Sequence, residues 1–154
     1  MSFLLDRFIY PLRGTSARVP GLKHLYGTGE PCRYFAGPPN ASRVILFVHG
    51  NRTTLADVDE FAIPLQTNAR CAVVAITYRG YPGTEMLSHG AGGARYGYGY
   101  DRETAMRVAC IARELNSKFQ DVTVLGHSLG CAAALASLEH YQPQNLVLLA
   151  PFSD

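Results

Sequence analysis

Four short apolar runs, each nearly uninterrupted, constrain the fold of this 154-residue chain more than any other feature. Strands buried on both faces have this pattern, whereas strands with one face in solvent alternate apolar and polar residues. Helical periodicity separates the runs, and strand–helix–strand alternation predicts a parallel sheet with right-handed crossovers. We therefore expect an α/β fold, a three-layer sandwich around a mostly parallel sheet, with strands at 44–48, 72–76, 122–125 and 146–150.

Three segments of the chain have helical features. Apolar residues recur at three- and four-residue spacing over 105–115, and residues 129–141 are Ala-rich and apolar on almost all sides, as in a helix packed on a sheet. Residues 55–69 form a weaker helical pattern, because Pro64 should end or kink the helix just before it. The sequence thus predicts helices between the core strands.

The first part of the chain differs from the rest. Proline and glycine clusters in residues 1–31 indicate an irregular segment or an edge strand. Residues 32–154 hold all the core elements, with a further strand predicted at 32–36. We see no internal repeat and no second domain.

Composition excludes several classes of function. The formal net charge is only +2 and no basic run occurs, which argues against a nucleic-acid-binding surface. No apolar stretch approaches the roughly 20 residues of a transmembrane segment, and charged residues interrupt the apolar N-terminus, so we expect no secretory signal. The four scattered cysteines lack metal-ligand spacing, and three of them lie in predicted strands or helices, which fits buried free thiols in a cytoplasmic protein. We expect no metal and no organic cofactor.

The strongest chemical signal is the pentapeptide from Gly126 to Gly130, which matches G-x-S-x-G between a predicted strand and a predicted helix. Such a turn projects the hydroxyl of Ser128 above the sheet edge, and flanking glycines avoid collisions in the tight turn. The helix that follows directs backbone N–H groups and the positive end of its dipole at a developing oxyanion.

Two other loops follow strands at the same predicted edge. His49-Gly50-Asn51 comes after the first strand, so we assign the oxyanion donors to the backbone amides of Asn51 and Leu129. The His49 imidazole fits support of this turn better than proton transfer. In the loop after the second strand, Arg79 can contact carbonyls or carboxylates, and the tyrosines can line an acyl pocket. A packed turn without substrate contact fits the sequence of this loop equally well.

These three elements, in this order, resemble the α/β-hydrolase superfamily, and most closely its serine-aminopeptidase, monoacylglycerol-lipase and protein-depalmitoylase branch. The resemblance covers about 32–154. It implies a serine hydrolase that cleaves an ester, thioester or amide bond through an acyl-enzyme on Ser128. The expected substrate is a small acyl or lipid-like molecule, and the residues expected to contact it are His49, Gly50, Tyr78, Arg79, Tyr81 and His127.

The sequence departs from this family at its end. Family members place an acid and then a histidine after the serine, whereas this chain ends soon after its last predicted strand. We therefore expect a truncated α/β-hydrolase fold, with His89 as the best surrogate base and Asp154 as a possible acid. Three hypotheses stay open: a hydrolase represented by a fragment, an inactive pseudo-hydrolase that binds a partner, and an enzyme completed by His89 or another chain. An exposed sheet edge would permit homo-oligomers or a completing chain.

Overall fold

The computed structural model describes residues 32–50, 53, 55, 57–78 and 102–151, together with the backbone of residues 22–24 and 31. These residues form one six-stranded sheet with helices packed on it. Its strands are β1 (Leu22–His24), β2 (Pro31–Phe35), β3 (Arg43–Val48), β4 (Ala72–Ile76), β5 (Asp121–His127) and β6 (Asn145–Leu149).

The sheet has the strand order β1-β2-β4-β3-β5-β6. The four strands β3 to β6 pair with one another in parallel, whereas β2 pairs antiparallel with both β1 and β4. The mostly parallel sheet predicted from the apolar runs is therefore confirmed. In the β3–β5 register Val48 lies beside Gly126, so the end of the first predicted strand adjoins the start of the pentapeptide.

In the part of the chain that the structure describes, three α-helices connect the core strands: α1 (Asp59–Ala69), α2 (Arg102–Asn116) and α3 (Leu129–Ala136). The sequence predicts that Pro64 ends or kinks the first helix. Pro64 does not end it, because α1 continues through Pro64 to Ala69. The helix starts at Asp59 and not at 55, so Pro64 lies in its second turn. There a proline removes one hydrogen bond, to the carbonyl of Glu60, and both residues are exposed to water.

The predicted helix over 129–141 is also too long. The α-helix ends at Ala136, and a 3₁₀ turn follows over Ser137–Glu139. The buried Ser137 hydroxyl donates to the Ala134 carbonyl at 2.7 Å, so a side chain competes for the backbone groups that would continue the helix. Tightening of the last turn into 3₁₀ geometry is a common helix ending.

The sheet separates two layers of apolar side chains. Alternate residues of β3 point to opposite faces: Leu46 packs with α2 and α3, and Phe47 packs with α1. Helices thus cover both faces, which confirms the three-layer α/β architecture.

Strand β6 lies at one edge of the described sheet, and its two faces differ. Leu146 and Leu148 pack against the layer that contains α2 and α3. On the other face, 37% of Val147 and 45% of Leu149 are exposed. The carboxyl end of this edge strand contacts the turn that contains Ser128, as described next.

Candidate active site

Ser128 links the end of β5 directly to the start of α3. Its backbone adopts φ 51° and ψ −120°, a conformation that L side chains rarely take. The Ser128 N–H donates a hydrogen bond to the Leu149 carbonyl at 2.9 Å, and the Ser128 carbonyl accepts one from the Cys131 N–H at 2.9 Å. A strained serine is therefore held between the edge strand and the first turn of the following helix.

Close backbone packing requires the two glycines of the pentapeptide. A Cβ atom on Gly126 would lie 2.7 Å from the Cα of Cys131, and one on Gly130 would lie 2.0 Å from the Val48 carbonyl oxygen. These neighbours are backbone atoms of packed elements, so they cannot rotate away as a side chain would. The start of α3 therefore packs directly against the end of β3.

Gly50 lies next to this turn. A Cβ on Gly50 would lie 3.1 Å from the Ser128 Cβ and 3.2 Å from Nδ1 of His127, so the loop after β3 contacts the turn after β5. Leu129 is the first residue of α3, where backbone N–H groups have no intrahelical acceptor. Asn51, which we predict as the second oxyanion donor, lies outside the described residues.

The His49 side chain is completely buried below this loop. Its Nδ1 lies 2.7 Å from the Gly50 carbonyl, and its Nε2 lies 3.0 Å from the Thr77 hydroxyl oxygen. Burial lowers the pKa of His49 from 6.5 to about 4, against a smaller opposing effect of the Gly50 carbonyl. A neutral ring that donates from Nδ1 to Gly50 and accepts at Nε2 from Thr77 satisfies all these groups.

Tyr78 belongs to the same buried network. Only 2% of it is exposed, its hydroxyl donates to the His49 carbonyl at 2.6 Å, and its ring meets the imidazole edge-on with centroids 4.9 Å apart. This geometry favours the packed-turn interpretation of Tyr78 over contact with substrate. Arg79 and Tyr81 lie outside the described residues. Sequence reasoning overlooked Thr77, whose only signal is its position as the first polar residue after the buried strand.

His127 turns away from this network, toward α1. Its ring lies against Phe61 with centroids 5.3 Å apart, and its Nδ1 has no hydrogen-bond partner among the described residues. The ring lines a mainly apolar cavity of about 290 Å³ together with Phe47, Leu125 and Leu149. His127 is thus the predicted contact residue that borders an open space on the α1 side of the sheet.

Comparison with known proteins gives the family. The model of the alpha/beta hydrolase family matches residues 45–154, which is well over half of the chain. This chain belongs to the alpha/beta hydrolase family. A human relative, alpha/beta hydrolase domain-containing protein 17B, is 22% identical over 131 residues, and the match covers 82% of this chain and 42% of that protein.

Solved structures of low sequence identity share the hydrolase fold. A hormone-sensitive lipase from a metagenome library has a TM-score of 0.60 at 18% identity, with 99% of this chain and 50% of that chain covered. An esterase from Exiguobacterium antarcticum has a TM-score of 0.51 at 21% identity, with 83% and 44% covered. The chain therefore spans about half the length of the relatives it matches.

Three of the described histidines of this hydrolase-family chain are not placed to act as a base for Ser128. His49 has hydrogen-bond partners at both ring nitrogens, and His140 lies beyond the far end of α3. His24 is on β1, with three strands between it and β5. The two remaining candidates, His89 and Asp154, lie outside the described residues.

The described ranges hold neither a cluster of metal-binding side chains nor a membrane-spanning helix. No three histidine, cysteine or acidic side chains gather there closely enough to hold a metal ion. Among the helices described, none is both long and apolar enough to cross a membrane.

Proposed function

We propose that this chain carries the nucleophile half of a serine hydrolase. Ser128 attacks the carbonyl carbon of an ester, thioester or amide, the leaving group departs, and water then hydrolyses the acyl-enzyme. The observation that carries this proposal is the backbone of Ser128, held at φ 51° between β5 and α3. Such strain persists only where the surroundings enforce it, and it is typical of functional positions.

The oxyanion of the tetrahedral intermediate would be stabilised by two backbone amides, those of Leu129 and Asn51. The position of Leu129 at the start of α3 supports the first assignment, because its N–H and the helix dipole both favour negative charge. The contact between Gly50 and Ser128 supports the second, since Asn51 follows Gly50 in the chain. His49 would hold the Gly50 carbonyl and act as a support for this loop.

The acid and base of the reaction would come from outside the described residues. His89 and Asp154 stay candidates, and a further polypeptide segment is the other source. A serine hydroxyl without a base is a weak nucleophile. Unless His89 supplies that base, we expect little or no turnover from the 154-residue chain alone.

A small acyl or lipid-like molecule is the substrate class we propose. The similar structures include a hormone-sensitive lipase and an esterase, which supports this class without identifying a substrate. His127, with its partly buried ring beside an apolar cavity, is the described residue best placed to contact such a group.

We also propose a cytoplasmic location and assembly through the sheet edge. All four cysteines are free, and three of them are buried, as in proteins of a reducing compartment. The exposed Val147 and Leu149 of β6 give that edge an apolar surface suited to a second copy or a completing chain.

One observation favours a second candidate function, an inactive pseudo-hydrolase that binds a partner. Of the described histidines, His49 has both ring nitrogens paired, and His140 and His24 lie away from the turn that contains Ser128. In such a module the oxyanion donors would remain, but no acyl-enzyme would form under any condition.

Chemical rescue separates the two functions. The chain is incubated with an activated ester such as p-nitrophenyl butyrate and increasing imidazole, which can replace a missing base, and intact mass is followed. We expect an acyl adduct on the wild type that forms faster as imidazole rises and is absent from Ser128→Ala. A folded wild type that acylates no faster than Ser128→Ala at any imidazole concentration would refute the hydrolase proposal and support the binding module.

A further inference from the structure

The thiol of Cys131 lies directly beneath the turn that contains Ser128. Only 4% of Cys131 is exposed, and its Sγ lies 3.2 Å from the Gly126 carbonyl oxygen and 3.3 Å from the Leu149 carbonyl oxygen. These two carbonyls belong to β5 and β6, the strands that flank the turn. One S–H group is thus within hydrogen-bond distance of both strand ends.

The same strand ends hold the backbone of Ser128. The Leu149 carbonyl accepts the Ser128 N–H at 2.9 Å, and the Cys131 N–H donates to the Ser128 carbonyl at 2.9 Å. Cys131 therefore bonds directly to the Ser128 carbonyl through its own N–H. It is linked to the Ser128 N–H indirectly, because the Leu149 carbonyl is within hydrogen-bond distance of both the Ser128 N–H and the Cys131 thiol. The backbone of this residue also packs closely on β5, because a Cβ on Gly126 would lie 2.7 Å from the Cα of Cys131.

We propose that Cys131 is a positioning residue for Ser128, and that its thiol ties β5 to β6 so that the turn keeps its strained backbone. The catalytic importance of this positioning rests on the proposed function of Ser128, whereas the effect of the thiol on the backbone of the turn does not. Burial raises the pKa of the Cys131 thiol, so the single S–H proton that the two carbonyl oxygens share stays in place at neutral pH.

The alternative role for Cys131 is simple packing, and serine distinguishes the two. Cys131→Ala removes both the sulfur and the donor, whereas Cys131→Ser restores a donor without restoring the volume of the sulfur. Serine should rescue a variant that fails for lack of a hydrogen bond. It should not rescue a variant that fails because of a cavity, since the oxygen is smaller than the sulfur and leaves much of that volume unfilled.

The first measurement is amide hydrogen exchange of Ser128 in the full chain, relative to the amide of Leu46 at the centre of the sheet. We expect Cys131→Ala to raise this ratio about fivefold or more, the equivalent of one lost hydrogen bond, and Cys131→Ser to return it most of the way. Two matched controls should leave the ratio unchanged. Cys110→Ala alters an exposed cysteine, and Cys71→Ala alters a buried one in the α1 layer and lowers only the overall stability.

The second measurement is the rate of imidazole-assisted acylation of Ser128 in the same variants. It should fall in Cys131→Ala, recover in Cys131→Ser and remain at the wild-type rate in Cys110→Ala. An unchanged exchange ratio in Cys131→Ala, or equal ratios in the alanine and serine variants, would overturn the positioning role. If exchange responds as expected and no variant acylates, the structural role stands and the proposed hydrolase function fails.

Discussion

His49 should make the stability of this protein depend on pH. Burial lowers the pKa of its imidazole to about 4, against 6.5 for an ordinary histidine, because protonation would place a charge in the core. The ring would also lose its acceptor nitrogen for the Thr77 hydroxyl. Between these two pH values the unfolded chain therefore binds more protons than the folded chain.

The sign and size of the effect follow from this difference. A histidine with a lowered pKa stabilises the fold fully above pH 6.5, and this contribution is lost as pH falls toward 4. The folded and unfolded pKa values of His49 differ by about 2.5 units. At about 1.4 kcal/mol per unit, this difference contributes about 3 kcal/mol to the free energy of unfolding. About 2 kcal/mol of this should be lost between pH 7 and pH 5.

Urea unfolding at pH 7 and pH 5 measures this loss directly. The matched variant is His49→Gln, which cannot titrate and should lose most of the pH dependence whatever its absolute stability. Nitrogen chemical shifts of the His49 ring give an independent check, and they should show a neutral imidazole protonated at Nδ1 at pH 5. A ring that titrates near 6.5, or the same pH dependence in His49→Gln, would refute the reasoning.

Three further substitutions test the backbone geometry, each by urea unfolding. Gly130→Ala should lower the unfolding free energy by about 3 kcal/mol or more, because its Cβ would lie 2.0 Å from the Val48 carbonyl oxygen; a loss below 1 kcal/mol would contradict this packing. Arg70→Gly should raise it by about 0.5–1 kcal/mol, because Arg70 has φ 49° and ψ 48° at the end of α1; a decrease would contradict the left-handed backbone. Ser128→Gly should be about 1 kcal/mol more stable than Ser128→Ala, since both lack the hydroxyl and only glycine relieves the strain.

The sheet could be predicted from the sequence because strands buried on both faces appear there as short, uninterrupted apolar runs. The run at 72–76 is the whole of β4, and all five of its residues are buried. The ends of the helices could not be predicted as well. Helix α3 is shorter than expected because the Ser137 hydroxyl competes for the backbone carbonyls at its end. Helix α1 is longer than expected because its second turn tolerates Pro64.

The candidate site shows the same contrast. Its turn could be predicted because two glycines and a serine sit between a strand and a helix. The buried contacts beneath it could not, since they join residues far apart in sequence: Thr77 bonds to His49, and Cys131 lies within reach of Leu149. Such contacts depend on strand order and register, which the apolar runs do not specify.

The central claim is that Ser128 is a nucleophile, and fluorophosphonate labelling with peptide mapping tests it most directly. The wild-type chain, Ser128→Ala and Cys110→Ala are incubated with the probe, with and without imidazole, after circular dichroism shows that each is folded. We expect an adduct on Ser128 in the wild type and in Cys110→Ala, which forms faster with imidazole, and none in Ser128→Ala. A folded wild type without an adduct on Ser128, or with the label equally present in Ser128→Ala, would contradict this claim.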